Sequence, residues 1–278
     1  MQTISIDDVD VAYMAAGSGP PVALLHCSGS TASQWCDLAA LLAARFKIIA
    51  PDLYGCGGTG AWPGRSPIRL ADHARMVAEL LRARSEAVHL VGHSFGGAVA
   101  LQIAMDYPGL VRSLTLIEPV LFHLLRQGTA GDRGFYAEIR SVAAAVFECA
   151  LNGHSYAGME RFVDYWSGPG AWARLSPGAR ARLAGQIAGV SANFTAVFAE
   201  SATAEDYRRI STPTLVLRGT DSPRPARRAA ELVAAVVPCA TIVTIAGAGH
   251  MLPITHSTAV ADALTSHIEA TMRASAAA

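Results

Sequence analysis

The chain has 278 residues and a balanced charge, with 22 Lys and Arg against 22 Asp and Glu, which disfavours a nucleic acid or an anionic membrane as partner. Hydrophobic residues make up 51% of the chain, enough for a substantial core. The five cysteines are odd in number and form no CxxC pair, so neither a disulfide framework nor a metal site is expected. Neither a signal-peptide pattern nor an apolar run of 18 residues is present, so we expect a cytoplasmic protein without a membrane span.

Strands and helices alternate along most of the chain. Two short strands at the start, TISID and VAYMAAG, are expected to form an antiparallel pair. Then follow, in chain order, the strand PVALLH, the helix SQWCDLAALLAARF, the strand KIIAPDL, the helix LADHARMVAELLRAR, the strand AVHLVGH, the helix GGAVALQIAMDYP and the strand VRSLTLIEP. Further on come the strand TPTLVLRG, the helix PARRAAELVAAVV, the strand TIVTIAG and a last helix over about 257–272. This alternation predicts a mostly parallel sheet with helices on both faces.

The interval 120–207 breaks this alternation. It contains helical stretches such as SVAAAVFECALNG and GARARLAGQIAGV, without a convincing strand. We therefore predict a core of residues 1–119 and 208–278, and a helical cap of residues 120–207 over the carboxyl edge of the sheet. In the segment RFVDYWSGPGAW, Tyr165 and Trp166 are candidates to line an apolar substrate pocket; alternatively, these aromatic residues form the core of the cap itself.

Two local patterns suggest opposite roles for polar side chains. The run RPARRAA (224–230) is expected to form the polar, solvated face of a helix. The sequence GHSFG (92–96), in contrast, joins a predicted strand directly to a predicted helix. At such a junction the serine of G-x-S-x-G lies in a strained turn with its hydroxyl above the sheet, and the helix amides favour negative charge beside it. This pattern predicts Ser94 as a nucleophile, the alternative being a tight turn with an incidental serine.

Four segments together resemble the α/β-hydrolase superfamily over essentially the whole chain. They are the nucleophile turn GHSFG, the oxyanion segment LLHCSGS (24–30), the turn PDLYGCGGTG (51–60) after the fourth strand, and the histidine turn GAGHML (247–252). The resemblance implies an eight-stranded, mostly parallel sheet with helices on both faces and a helical cap after the sixth strand. It also implies an oxyanion hole formed by the backbone amides of Ser28 and Phe95. Cys27 replaces the usual glycine there; as an alternative nucleophile it has no base placed for it.

A serine nucleophile needs a base, and the base needs an orienting acid. His250 is the candidate base, since it follows the last strand and comes last in the Ser–acid–His order of this fold. Two acids are open. Asp221 follows the seventh strand but lies only two residues after Gly219, where the resemblance implies three. Glu118 ends the sixth strand, which supplies the acid in some members. The sequence favours Asp221.

The other two histidines near these segments have supporting assignments. His93 is interpreted as a packing residue of the nucleophile turn. His26 is a candidate for the substrate site and for hydrogen-bonded support of the oxyanion loop.

These residues predict a serine hydrolase that cleaves an ester, thioester or related acyl compound and needs no cofactor or metal. A serine at the nucleophile turn speaks against epoxide hydrolase and dehalogenase chemistry, which in this family requires a carboxylate. Two alternatives are open: a cofactor-free non-hydrolytic or carbon–carbon-cleaving enzyme, and a ligand receptor. The expected partner is a small acyl molecule, and homo-oligomerisation is left open.

Overall fold

The computed structural model of the protein describes residues 1–84 and 87–277. Eight strands in this part of the chain form one sheet. The strands are β1 (Gln2–Ile6), β2 (Val9–Ala16), β3 (Pro21–Leu25), β4 (Lys47–Pro51), β5 (Val88–His93), β6 (Val111–Ile117), β7 (Thr214–Gly219) and β8 (Ala240–Ile245). Their order in the sheet is β1-β2-β4-β3-β5-β6-β7-β8. β2 runs antiparallel to β1 and β4, and the other neighbours are parallel. The prediction of a mostly parallel sheet with an antiparallel start is confirmed.

The α-helices of the described residues lie between and after these strands. They are α1 (Cys36–Leu42), α2 (Leu70–Arg84), α3 (Phe95–Asp106), α4 (Phe122–Gln127), α5 (Ala130–Leu151), α6 (Ser155–Ser167), α7 (Pro177–Ala184), α8 (Ile187–Phe198), α9 (Ala204–Arg208), α10 (Arg224–Val236), α11 (Leu252–Thr255) and α12 (Ser257–Ala277). Short 3₁₀ turns occupy Ala32–Trp35 and Pro108–Leu110. None of the helices in the described part of the chain combines the length and apolar character that crossing a membrane requires.

Helices cover both faces of the sheet, as the alternating pattern predicts. α1 and α12 pack on one face, where Leu38 and Leu264 are buried. α2, α3 and α10 pack on the other, where Leu80, Val99 and Ala229 are buried. Because both faces are covered, the sequences of the inner strands are continuous apolar runs. The carboxyl ends of the parallel strands are left as the edge at which polar side chains meet.

The helices α4 to α9 lie between β6 and β7; they begin within the predicted interval 120–207, and α9 ends one residue beyond it, at Arg208. α5 packs against α6 and α8, and α4 packs against α10 of the core. The stretch GARARLAGQIAGV, expected as one helical run, is divided between α7 and α8, which are separated by Gly185 and Gln186. That 120–207 forms a separate domain stays a prediction. Residues 85, 86 and 278, all assigned to the core, lie outside the described residues.

Candidate active site

Ser94 lies at the turn between β5 and α3. Its backbone adopts φ 54° and ψ −113°, a conformation that residues other than glycine rarely adopt. Its N–H continues the sheet by donating to the carbonyl oxygen of Ile117 at 2.9 Å. A Cβ added at Gly92 would lie 2.2 Å from the carbonyl oxygen of Gly96, and one added at Gly96 would lie 2.3 Å from that of Leu25. Both glycines are therefore required for this turn.

Three side chains from separate loops meet at this turn. The Ser94 Oγ lies 3.0 Å from Nε2 of His250, and the opposite ring nitrogen Nδ1 lies 2.6 Å from Oε2 of Glu118. His250 is 3% exposed and Glu118 is fully buried. With the neutral imidazole protonated on Nδ1, this ring donates to Glu118 and accepts from the Ser94 hydroxyl. The arrangement is that of a nucleophile, a base and an orienting acid.

Glu118 follows β6 directly, with φ 44°. Its N–H donates to the carbonyl oxygen of Leu217 at 2.9 Å, and its Oε1 accepts the N–H of Gly219 at 2.8 Å. Burial opposes ionisation of the carboxyl and is the largest influence on its pKa. The hydrogen bond and charge of His250 and the N–H of Gly219 together outweigh burial and hold the pKa of Glu118 below its ordinary value. Glu118 is therefore ionised at neutral pH and suited to stabilise an imidazolium.

The sequence-based preference for Asp221 over Glu118 is wrong. Asp221 is exposed, and its carboxylate accepts a hydrogen bond from the Thr220 hydroxyl at 2.8 Å. Its N–H donates to the carbonyl oxygen of Ala248 at 2.9 Å. This turn directs Asp221 outward and buries the next residue, Ser222. The acid contact to His250 is consequently made from β6.

Ser28 and Phe95, the expected oxyanion residues, border the same cavity as Ser94. Phe95 begins α3, so its N–H has no acceptor within the helix. Within residues 1–84 and 87–277, neither amide donates a hydrogen bond to another backbone group. Such amides suit an oxyanion formed beside Ser94. The Asn193 Nδ2 of α8 donates to the Ser28 Oγ at 2.8 Å and so links the helical segment after β6 to this loop.

A chain of hydrogen bonds links the oxyanion loop to the histidine loop. The N–H of Cys27 donates to Oε1 of Gln34 at 3.0 Å, and Nε2 of Gln34 donates to Nδ1 of His93 at 3.0 Å. Nε2 of His93 then donates to the backbone oxygen of His250 at 2.8 Å. Burial, followed by the nearby His250, lowers the pKa of His93 well below its ordinary value, so the ring stays neutral and can accept from Gln34. His93 therefore connects loops in addition to packing, and no sequence motif marks Gln34.

His26 supports the oxyanion loop from behind. Its Nδ1 donates to the carbonyl oxygen of Cys27 at 2.8 Å, and its Nε2 accepts the N–H of Leu53 at 3.0 Å. It is not among the residues lining the two cavities that contain Ser94, and its assignment to the substrate site stays a prediction. Burial raises the pKa of the Cys27 thiol to about 12, so this group is protonated and unsuited as a nucleophile.

The aromatic segment of α6 lies beside His250. Trp166 covers His250, with ring centroids 4.3 Å apart and planes at 32°, and it lines the cavity at Ser94 together with Phe162. The half-buried Tyr165 donates a hydrogen bond from its hydroxyl to Glu138 at 2.7 Å and lines a neighbouring cavity that also contains His250. Trp166 therefore lies at the cavity of Ser94, as the pocket interpretation predicts, and a substrate contact of Tyr165 stays a prediction.

The sequence reasoning missed three cavity residues on α8: Asn193, Phe194 and Val197. With Val190 they recur at intervals of three and four residues, which is the signal of one buried helix face. In the described residues, no three His, Cys, Asp or Glu side chains are grouped so as to hold a metal ion.

A protein-family model described as the alpha/beta hydrolase fold matches residues 20–257. The chain belongs to this alpha/beta hydrolase family. A solved hydrolase from Pseudomonas aeruginosa PA01 is similar to it with a TM-score of 0.78 and 26% identity, over 96% of this chain and 97% of that one. The match confirms the family resemblance and the alpha/beta hydrolase fold, and the helical cap after the sixth strand stays a prediction.

Two curated relatives match more locally. An uncharacterised protein of Mycobacterium tuberculosis is 41% identical over 107 residues, which is 38% of this chain and 31% of that protein. A fluoroacetate dehalogenase of a Burkholderia species is 34% identical over 124 residues, which is 41% of this chain and 39% of that enzyme. The chain thus spans between 31% and 39% of the length of these two relatives.

Proposed function

We propose that this alpha/beta hydrolase family member is a serine hydrolase that cleaves an ester or a related acyl compound. The observation that carries the proposal is the buried pair of contacts, 3.0 Å from Ser94 Oγ to His250 Nε2 and 2.6 Å from His250 Nδ1 to Glu118 Oε2. A serine hydroxyl is a weak nucleophile until an adjacent base accepts its proton. Here the base is within hydrogen-bond reach and is oriented by an ionised acid.

The reaction follows from these positions. Ser94 Oγ attacks the acyl carbon while its proton moves to Nε2 of His250, and the carbonyl electron pair becomes an oxyanion facing the amides of Ser28 and Phe95. Collapse of this intermediate expels the alcohol oxygen, which takes the proton from His250. Water then attacks the acyl-enzyme with the same base, releasing the acid and restoring Ser94. Glu118 fixes the imidazole tautomer and stabilises its charged form throughout.

A dehalogenase mechanism, in which a carboxylate attacks carbon, lacks support in this site. The residue at the nucleophile turn is Ser94. The carboxylate of the buried Asp52 instead accepts hydrogen bonds from the backbone N–H groups of Ala32, at 2.7 Å, and Gly58, at 2.9 Å. These contacts give Asp52 a loop-holding role.

Ser94→Ala tests the proposal. We expect kcat on p-nitrophenyl acetate to fall by roughly 10⁴ to 10⁶, because the attacking oxygen is lost. A fluorophosphonate probe should label the wild type at Ser94 and leave the variant unlabelled, while circular dichroism shows the same fold. Unchanged turnover by the folded variant would contradict the serine mechanism.

A further inference from the structure

Two apolar compartments meet at Ser94. The smaller has a free volume of about 20 Å³ and the larger about 270 Å³, counted as the space open to the centre of a water molecule. Ser28, Phe162 and Trp166 line both compartments and so stand between them. The smaller is further lined by Val120, Phe122, Phe194 and Val197, and the larger by Val163, Leu175, Leu183, Met251 and Ile254.

The catalytic groups distinguish the two compartments. His250 lines the larger and not the smaller, whereas Phe95, whose amide faces the expected oxyanion, lines the smaller and not the larger. The leaving oxygen must receive its proton from Nε2 of His250, so the alcohol part of an ester lies on the side of His250. The acyl chain then extends away from His250, into the smaller compartment.

The sizes of the compartments restrict what each can hold. The smaller has room for little more than one water-sized group, between the large buried rings of Phe122 and Phe194. The larger reaches the surface at Ile254, whose side chain is 44% exposed. None of the described residues that line either compartment is Asp, Glu, Lys or Arg, so a charged acyl or alcohol group would be buried without a partner there.

From this division we infer that the substrate is an uncharged ester of a short acid, such as an acetyl or propionyl ester, with a bulky apolar alcohol. The inference rests on the proposed serine hydrolase function and adds a substrate class to it. The small compartment selects the acyl group by size, and the large compartment binds the alcohol by apolar contact.

Two ester series test the assignment in the wild-type protein. Among p-nitrophenyl acetate, hexanoate and decanoate, we expect kcat/KM to be at least about tenfold higher for the acetate. Among acetates, the 2-naphthyl ester should be better than the methyl ester after correction for the leaving-group pKa. A higher kcat/KM for hexanoate or decanoate would overturn the inference.

Substitutions in the walls test which compartment holds which part. Phe194→Ala and Val197→Ala enlarge the smaller compartment and should each raise the hexanoate-to-acetate ratio of kcat/KM by at least about threefold. Either variant suffices if the other fails to fold. Leu183→Trp reduces the larger compartment and should lower kcat/KM for 2-naphthyl acetate by a larger factor than kcat/KM for methyl acetate. Leu151→Ala, at an exposed position that lines neither compartment, is the matched control.

The outcomes separate the two proposals. If no ester is hydrolysed and Ser94 is not labelled by fluorophosphonate, the serine hydrolase function fails. If esters are hydrolysed through Ser94 but the wall variants leave the acyl-chain preference unchanged, the function stands and the substrate assignment is overturned.

Discussion

The side chain of Glu118 reaches His250 because its backbone turns sharply at the end of β6. The positive φ of 44° directs the carboxylate along the sheet edge, where the Gly219 N–H of the next strand holds one oxygen and His250 the other. A residue in this strained conformation persists only where its surroundings hold it in place. Both carboxylate oxygens of Glu118 are thus occupied in a single orientation.

Glu118→Gln is expected to lower kcat by at least about a hundredfold, because a neutral amide cannot offset the charge of the imidazolium. Asp221→Asn makes the same chemical change at an exposed carboxylate, and we expect kcat to stay within about twofold of the wild type. The kcat of both variants is measured on p-nitrophenyl acetate, and circular dichroism checks that each variant has the same fold as the wild type. A larger loss in Asp221→Asn than in Glu118→Gln would restore Asp221 as the acid.

The positions of Ser94 and His250 could be predicted because each lies in a short turn after a strand, within a recognisable run of glycines. The choice between Glu118 and Asp221 could not. Side chains that are neighbours in a turn point in different directions, and the hydrogen bond from the Asp221 N–H to Ala248 directs the Asp221 carboxylate outward. That contact joins loops 27 residues apart and leaves no local sequence signal.

At the scale of elements, the loops after β3, β5 and β8 are held together by the Gln34–His93 chain of hydrogen bonds. The loop after β3 carries Ser28, that after β5 carries Ser94, and that after β8 carries His250. A shift in one loop would therefore disturb the relative positions of the proposed nucleophile, base and oxyanion amides.

Gln34→Ala is expected to lower the free energy of unfolding by about 2 kcal/mol, since it leaves the Cys27 N–H and His93 Nδ1 buried without partners. We also expect about a tenfold loss in kcat with little change in KM, because the loops that position the catalytic groups loosen. Urea unfolding and the rate of fluorophosphonate labelling measure the two effects.

Gln34→Glu is the matched control for this chain, since it keeps an acceptor for Cys27 but removes the donor to His93. Its labelling rate should lie between those of Gln34→Ala and the wild type. Labelling at the wild-type rate in both variants would assign Gln34 to stability alone.

The bounds of a helix could be predicted where apolar residues recur every three or four positions along its whole length. α2 has the predicted bounds of residues 70–84 for this reason. The helix predicted over residues 33–46 instead begins as a 3₁₀ turn and continues as the shorter α1. A 3₁₀ turn rotates each residue further than an α-helix does, so the face changes partway along and an apolar pattern read at one period fails there.

Over the whole molecule, an ion pair ties the helices after β6 to the core. Asp132 in the first turn of α5 accepts from Nε of Arg228 on α10 at 2.7 Å, and the same carboxylate caps α5 by accepting the N–H of Thr129 at 2.9 Å. The Asp132 side chain is 4% exposed. The expectation of a purely solvated arginine run at 224–230 is therefore wrong for Arg228, whose partner lies 96 residues away.

Asp132→Asn is expected to reduce the pH dependence of stability. The hydrogen bonds from Arg228, followed by those from Thr129, hold the pKa of Asp132 below its ordinary value. A depressed folded-state pKa stabilises the protein above the unfolded pKa of about 3.9, and this contribution is lost as the pH falls through that value towards the lower folded-state pKa. The wild type should therefore exceed the variant in unfolding free energy by about 1–2 kcal/mol at pH 7 and by less at pH 3.

Urea unfolding at both pH values measures this difference. Glu205→Gln, in an exposed pair with Arg208, should leave stability within about 0.5 kcal/mol at either pH. An equal effect of Asp132→Asn at pH 7 and pH 3 would contradict the assigned role.

The opening of the larger compartment at Ile254 has a consequence for the second half of the reaction. In the proposed reaction, the space beside His250 becomes the place where the next nucleophile binds once the alcohol has left through this opening. Water arriving there competes with any apolar alcohol that fits the same walls, since His250 can accept a proton from either. The acyl-enzyme is thus expected to partition between hydrolysis and transfer of its acyl group to an acceptor alcohol, in a ratio set by the concentration of that alcohol.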